Sequence, residues 1–597
     1  MEALIDFYKT RIETCSGTLE RLKKRIYLLG TLRLLVFGGA IVLLWLFRDA
    51  GWPALTGIAA VMAIPFATLV VVHSNLFRQK TYTEAMIRLN VGEQRAIDYD
   101  FEAFDGVPEE VDAQHSFSTD LDLFGEQSLF QSLNRTVTCV GKSLLASWFK
   151  QPLTDKSAIL KRQEAVKEMA RKTTFRQHFC VTGIPERAGK DDMRKLNELF
   201  SRTTRFSQRL FWRLTIWIIP ALWLVTLAGT LWGGFPGSVS GVMFVAAYFV
   251  SNMQSRRIHL LHKSADEMEK ILQTYSQLIE QIEKESFHSE ELAETQQAFV
   301  LEKGNASQVI RRLSRIIGEL DQRFSLVGFL LNLFCMRDMR QAMNLEQWIT
   351  AHAGDSAKWF DALARIDAFC SLGGFAFNHP DYVYPDISDR YFEMEGKALG
   401  HPLLHRDKCV KNDVSISRSS YFLIITGANM AGKSTYLRTV GINFLLACVG
   451  LPVCADSLTV YPAHPVTSLR TADSLTAHES YFFAELKRLK MIIDRLHAGE
   501  ELFIVLDEIL KGTNSKDKQK GSFALMKQLI ALRSCGIIAT HDLLLGTLEN
   551  DFPANTKNLC FEADIDGDRL TFTYRLRRGV AQNMNASFLM KKMGITL

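Results

Sequence analysis

Residues 421–435 read Tyr-Phe-Leu-Ile-Ile-Thr-Gly-Ala-Asn-Met-Ala-Gly-Lys-Ser-Thr. The apolar run Tyr421 to Ile425 has the character of a strand buried on both faces. It breaks into Gly427, four residues, then Gly432-Lys433-Ser434, the G-x-x-x-x-G-K-S spacing of a phosphate loop. Glycines let backbone N–H groups turn inward around phosphate oxygens, and the helix that follows points its positive end at the same anion. Lys433 is expected to reach the β- and γ-phosphates, and the Ser434 hydroxyl to ligate Mg²⁺. Gly427, Gly432, Lys433, Ser434 and Thr435 are therefore candidates for binding ATP with Mg²⁺.

Two further apolar runs complete the pattern. Leu502 to Leu506 delivers Asp507 and Glu508 at a strand end. Asp507 suits the Mg²⁺ shell, and Glu508 suits general-base activation of an attacking water. Cys535 to Ala539 delivers Thr540-His541, where a histidine can hydrogen-bond a γ-phosphate or the water. An acidic pair after an apolar run is a weak signal alone and becomes specific downstream of a phosphate loop.

The chain has 597 residues, too many for one ordinary domain, and a net charge of +5 that permits nucleic-acid contact without demanding it. Its ten cysteines form no C-x-x-C pair, which argues for a reducing compartment without a disulfide framework or a zinc site. Cys448 and Cys454 read as core residues. Residues 1–27 are charged, and the apolar run after them starts too late for a secretory signal.

Four apolar spans stand out. Leu28 to Phe47 is interrupted only by Arg33, and Trp52 to Val72 carries no charge. Leu214 to about Gly234 and about Gly237 to Met253 make a second pair, with Pro236 in the turn. Each has roughly the length a hydrocarbon core requires. Six of the nine tryptophans (Trp45, Trp52, Trp212, Trp217, Trp223, Trp232) lie in or beside them, as at membrane interfaces. Arg21, Lys23, Lys24, Arg25, Arg78 and Lys80 flank the first pair. Arg202, Arg205, Arg209, Arg213, Arg256, Arg257 and Lys263 flank the second. The positive-inside rule then makes both pairs hairpins that enter a bilayer from the cytoplasm and return. Buried core hairpins of a soluble protein are the competing reading.

Between and beyond the spans the chain reads as helical. Met268, Ile271, Leu272, Tyr275, Leu278, Ile279 and Ile282 recur at helical spacing, consistent with a bundle helix or a short coiled coil. Ala306 to Ile349 reads as another helical stretch, and Phe375–Asp386 as a connector.

These residues carry a resemblance. Thr426 to Thr435 resembles the TGPNMGGKST of the MutS mismatch-repair ATPases, with Ala428 and Ala431 in place of Pro and Gly. Asp507 to Asp517 is similar to the family's DEIGRGTSTYD, and Ala539-Thr540-His541 matches its ATH. Asp473-Ser-Leu with Ser480 to Glu485 resembles DDL…STFMVE. Ser128 to Thr138 with Gln151-Pro152-Leu153 looks like the start of the helical core, and Arg577 to Ser587 like the segment before the C-terminal helices.

The resemblance implies an α/β P-loop ATPase domain of ABC/MutS type joined to an α-helical core and lever, here with two transmembrane hairpins. It implies an Mg²⁺-dependent ATPase working as a homodimer. Asn429 would sense the γ-phosphate, and Ser480 would approach, in trans, the nucleotide held by the other subunit. The implied organisation is a cytoplasmic helix over 1–27, a first hairpin over 28–73, a linker over 74–119 and the first part of the core over 120–210. A second hairpin over 211–253, the rest of the core and lever over 254–375 and the ATPase domain over 376–597 follow. With some 120 residues ahead of the core, no mismatch-binding domain is expected, and Phe101-Glu102 lacks the family's Phe-x-Glu spacing. Nor is a longer dimerisation tail expected after Leu597. The expectation is a multi-pass inner-membrane member, with N-terminus, core and ATPase in the cytoplasm, acting on DNA related to mismatch repair or DNA processing. The alternative is an ATP-driven membrane machine or scaffold acting on a lipid or protein partner without nucleic acid.

Overall fold

The computed structural model describes residues 1–184, 194, 198, 210–253, 268–302, 304–321, 326–418, 420–428, 430–469, 481–511, 514–566 and 569–582. The chain divides into two units, one of Met1–Phe104 with Arg176–Ile184, the other of Asp105–Phe175 with Pro185–Leu597.

In the first unit, α1 (Glu2–Leu46) and α2 (Trp52–Ile97) pack side by side. Each is one uninterrupted helix, so the charged segment 1–27 continues directly into the apolar one. Gly51 turns the chain at φ +86°, and Pro53 sits in the first turn of α2, where its missing N–H costs nothing. Thr31, Thr56 and Thr68 donate their hydroxyls to carbonyls of their own helix, which leaves those groups paired without water. The most apolar stretches of both helices have no buried residue, and Leu34, Trp45, Trp52 and Ile64 are largely exposed. Only beyond that region does the unit gain a core. There Ala85, Met86 and Leu89 are buried, and Asn90 bridges the Met86 carbonyl and the Gln177 amide.

The second unit begins with α3 (Leu129–Leu133), α4 (Cys139–Lys150) and α5 (Lys156–Arg171). Each starts on a side-chain cap, as Ser128, Thr138 and Asp155 accept from the N–H of Gln131, Gly141 and Ala158. α6 (Thr173–Gly183) starts in this unit and belongs from Arg176 on to the first. α7 (Leu210–Leu231) and α8 (Gly237–Asn252) form the second apolar pair. A Cβ at Gly229 would meet the Phe235 ring at 2.2 Å, so glycine is required where the turn folds back. α8 has 16 residues and spans about 24 Å, shorter than a hydrocarbon core of about 30 Å. The basic flanks at Arg202, Arg205, Arg209, Arg256, Arg257 and Lys263 lie outside the described residues.

α9 (Met268–Lys284), α10 (Glu290–Gln297), α11 (Ala306–Asp321), α12 (Leu326–Cys335) and α13 (Arg337–Asn378) complete the helical part. The apolar stripe of α9 is buried along its length and packs on α11, whose Ile310, Leu313, Ile317 and Leu320 are fully buried. Of the two readings left open by its periodicity, α9 is a bundle helix. The helical stretch expected from Ala306 to Ile349 contains α11, α12 and the start of α13. α12 ends at Cys335, Met336 is left-handed at φ +51°, and α13 then runs 42 residues. Phe375 lies inside α13, so the connector begins only at His379. Asp367 of α13 is fully buried and accepts from Val137 N, Thr138 N and Thr138 Oγ1, the last at 2.6 Å. Gly141 packs so closely on Asp367 that a Cβ would lie 2.3 Å from its carboxylate.

Two sheets follow. β1 (Asp386–Ile387), β2 (Met394–Leu399), β3 (Asn412–Ile416) and β5 (Ser457–Val460) form one in the order β1-β5-β2-β3. The other contains β4 (Phe422–Gly427), β6 (His464–Ser468), β7 (Leu502–Asp507), β8 (Cys535–Thr540), β9 (Thr556–Asp566) and β10 (Arg569–Arg578). Its order is β10-β9-β4-β8-β7-β6, parallel from β9 to β6, with β10 antiparallel. α14 (Lys433–Val449) follows β4, α15 (Tyr481–His497) precedes β7, α16 (Ser515–Ala531) joins β7 to β8, and α17 (Leu548–Asp551) precedes β9. Ile424, Ile504 and Ile538 pack with Ile492, Met526 and Leu529 on one face. Phe503 stacks on Phe444 of α14, ring centroids 4.5 Å apart. Burial on both faces explains why these strands read as continuous apolar runs.

Candidate functional site

The ends of β4, β7 and β8 converge because these strands are neighbours in parallel register, Thr426 beside Thr540 and Asp507 beside Ala539. Gly427 leaves β4 at φ +153°, and a Cβ there would meet the Phe561 carbonyl at 2.6 Å. Gly432 sits at φ +106° as the residue before α14, with the Tyr574 ring 3.1 Å from where a Cβ would be. Both glycines are thus demanded by backbone angle and space. The loop opens on a cavity of about 600 Å³ whose walls include Ala428, Lys433, Ser434, Thr435, Asp507, Glu508 and His541.

The Lys433 ammonium is buried. It donates to the Gly427 carbonyl at 2.7 Å and the Ala428 carbonyl at 2.9 Å, and lies 3.3 Å from His541 Nε2. Burial lowers its pKa to about 8, against the attraction of Asp507 and Glu508. Burial and the Lys433 charge also lower the His541 pKa, so the ring is neutral near pH 7 and Nε2 can accept the lysine proton. Among the described residues the ammonium's hydrogen-bond partners are all neutral, which fits an anion in front of it. Ser434 Oγ donates to Asp507 Oδ2 at 2.5 Å, which pairs the hydroxyl and carboxylate that would hold Mg²⁺. Among the described residues no cluster of three His, Cys, Asp or Glu could hold a metal. A phosphate-bound Mg²⁺ needs none, because it keeps waters and phosphate oxygens as its other ligands.

Glu508 is left-handed at φ +50°, with its N–H donating to the Ala539 carbonyl at 2.9 Å. Its carboxylate accepts from Lys518 Nζ at 2.9 Å, and Lys511 Nζ lies 3.8 Å away. Burial pushes the Glu508 pKa up, but the Lys518 hydrogen bond and the charges of Lys518 and Lys511 outweigh it, and the net direction is down. Behind it, the buried Glu485 of α15 accepts from Leu510 N at 2.5 Å and Lys511 N at 3.1 Å, which fixes the backbone after Glu508.

Gly427, Gly432, Lys433, Ser434, Thr435, Asp507, Glu508 and His541 therefore lie around one cavity or its loop. Asn429, Ser480, Asp473, Gly512 and Thr513 lie outside the described residues. Lys518, Lys511 and the structural role of Glu485 were missed from sequence. One signal was present: Asn514 caps α16 by accepting from Asp517 N, which puts Lys518 in the first turn, close to the end of β7.

Residues 423–592 match the family model MutS domain V, and residues 112–373 match MutS domain III. The chain belongs to the MutS family. The domain III match runs from the capped helices α3–α5 to α13 and encloses the α7–α8 pair; the domain V match contains all the site residues above. Among similar proteins, the DNA mismatch repair protein MutS of Thermotoga petrophila is 24% identical over 525 residues, covering 79% of this chain and 61% of that protein. The DNA mismatch repair protein MutS of a Synechococcus strain is 27% identical over 495 residues, 76% of this chain and 54% of that protein. MutS protein homolog 4 of Homo sapiens is 27% identical over 273 residues, 43% of this chain and 28% of that protein. This MutS-family chain spans less than two thirds of the length of each.

Proposed function

We propose that this chain is a membrane-anchored ATPase of the MutS family that binds and hydrolyses ATP as a homodimer, coupled to movement of its helical core, and that it acts on DNA. The observation that carries the reading is the convergence of Lys433, Ser434, Asp507, Glu508 and His541 at the ends of three adjacent parallel strands. Lys433 binds the terminal phosphates and gains a partner for its buried charge. The N-terminal N–H groups of α14 take phosphate oxygens. Ser434 and Asp507 hold Mg²⁺, which when bound supplies positive charge against the phosphate oxygens. Glu508, ionised at neutral pH, orients the attacking water and takes its proton. His541 holds the Lys433 ammonium toward the phosphates.

Support for the membrane comes from α1, α2 and α7, three helices long and apolar enough to cross a bilayer, the apolar stretches of α1 and α2 uncovered and that of α7 covered only along Trp212, Ile216, Ile219 and Trp223. Uncovered apolar area on this scale is unusual for a water-facing surface. The basic residues beside the α1–α2 spans support a topology with the N-terminus, core and ATPase part on the cytoplasmic face of an inner membrane. DNA enters through the relatives, named as DNA mismatch repair proteins. The test is ATP hydrolysis by the full chain in detergent and in nanodiscs, with single-stranded, duplex and branched DNA over a salt series. Stimulation by DNA that weakens with salt is expected. Lys433→Ala should abolish turnover, and a fully active variant would sink the site assignment.

The same exposed apolar faces favour a second reading, an ATP-driven membrane machine or scaffold that handles a lipid or protein partner. Stimulation by lipid, with every DNA form inert, selects it.

A further inference from the structure

Just beyond the apolar part of the first unit, α1 and α2 enclose a groove of about 620 Å³. Arg21 and Arg25 of α1 and Arg78 of α2 form its walls, with Leu22, Gln79 and Tyr82. Among the described residues none of the three arginines has an acidic partner. The neighbouring carboxylates are engaged elsewhere: Glu20 pairs with Lys23 at 3.2 Å, and Glu84 with Lys80 at 3.8 Å. Three arginines therefore line one space and, among the described residues, none is neutralised by the acids beside it. Leu22 is buried and Tyr82 is held by contact with His178, so the groove has an ordered base.

Position selects the ligand. Arg25 lies three residues before Leu28, and Arg21 and Arg78 six or seven from the span ends, which places them about 5 to 10 Å outside the apolar spans at the helical rise. One headgroup layer is about 5 to 8 Å thick, so Arg25 sits within it and Arg21 and Arg78 at its outer edge. The exposed apolar faces of the same two helices begin directly beyond the groove, where acyl chains would lie. Guanidinium forks match phosphate oxygens in bidentate geometry better than ammonium groups do.

We propose that this groove binds the phosphate of an anionic phospholipid whose acyl chains lie along α1 and α2. The proposal rests on the membrane reading of the hairpin and adds to it a specific headgroup site. The lipid fixes the depth and tilt of the hairpin, so the membrane's anionic content sets how firmly the unit is seated.

The test uses the full chain in a neutral detergent with added phosphatidylglycerol or phosphatidylcholine, and native mass spectrometry counts retained lipid. The variant R21Q/R25Q/R78Q removes the three guanidinium groups from exposed helix positions with little change in helix propensity. The variant K23Q/K24Q/K80Q removes the same charge at the same depth outside the groove. Each arginine near an anionic headgroup is worth about fivefold, so wild type should prefer phosphatidylglycerol on the order of a hundredfold. The lysine variant should keep that preference and the arginine variant lose it. Equal loss in both variants, or equal retention in both, overturns the site. Displacement of the lipid by millimolar inorganic phosphate overturns the lipid as its ligand. Alkaline carbonate extraction separates the two readings: protein released from membranes refutes the anchor and the site together, whereas protein that stays in the pellet but shows no headgroup preference refutes the site alone.

Discussion

Raising the pH should discharge Lys433 and weaken nucleotide binding with it. The ammonium is buried, hydrogen-bonded to two carbonyls and a neutral imidazole, and its pKa has fallen from 10.5 to about 8. A phosphate oxygen set against the ammonium reverses that shift. If the bound form regains the ordinary value, affinity falls about eightfold between about pH 7.5 and 9, and the slope approaches tenfold per pH unit. The free protein gives up its proton first, so binding above about pH 8 must take one up, about 0.9 proton per nucleotide at about pH 9. The terminal phosphate of the nucleotide is fully ionised across this window and adds no slope. Calorimetry with a non-hydrolysable ATP analogue in buffers of different ionisation enthalpy reads both quantities. Constant affinity with no proton uptake would refute either the desolvation of Lys433 or its contact with phosphate. The same depression acts on folding. The unfolded chain keeps this proton up to about pH 10.5, so the penalty is full below about pH 8 and is relieved as pH climbs between the two values.

Glu508→Gln should bind ATP and hydrolyse it about a hundredfold more slowly, accumulating a nucleotide-trapped dimer by light scattering; unchanged turnover removes Glu508 as the base. Lys518→Gln removes the hydrogen bond and charge that hold the Glu508 pKa down, so the acid limb of the pH–rate profile should move to higher pH. An unmoved limb means the pair does not persist during turnover. Asp367→Ala strands the Val137 and Thr138 N–H groups in a buried position, and should cost about 3 kcal/mol or more, read as a lower urea midpoint of the second unit. An unchanged midpoint would show that the 135–138 segment is held by other contacts.

The phosphate loop was legible because its requirements are local. Gly427 and Gly432 each satisfy a backbone angle and a close approach within a few residues of Lys433. The acidic pair and His541 were legible for a related reason: strands buried on both faces write unbroken apolar runs, and what stands at their ends is exposed by contrast. Lys518 could not be found this way. Its bond to Glu508 depends on how α16 leaves the loop after β7, and a lysine in a first helical turn is ordinarily a solvated residue. Glu485 stood in a recognisable motif, but its two backbone donors lie 25 and 26 residues away in the chain. The break at Met336 gave no sign, because no glycine or proline marks its left-handed backbone. α12 falls inside the stretch read as helical from Ala306 to Ile349, but its packing partner could not be read. Its apolar run is too short to read as a span, and only the structure sets Phe334 against Trp223 of α7, ring centroids 4.6 Å apart.

α13 makes the second apolar pair answer to the middle of the protein. At the helical rise its 42 residues extend about 63 Å. Near one end Asp367 clasps the backbone of Val137 and Thr138. Near the other, Arg340 donates to the Ile216 carbonyl of α7 at 3.4 Å and lies over the Trp217 ring at 5.1 Å. The two anchor points are about 40 Å apart along the helix axis. A swing of about 5° around Asp367 would carry Arg340 sideways by roughly 3 to 4 Å, more than the 1–2 Å by which packed helices commonly shift. Were the helix to tilt as a rigid rod, a rearrangement around Asp367 too small to disturb the buried core would emerge at α7 as a stroke of several ångströms.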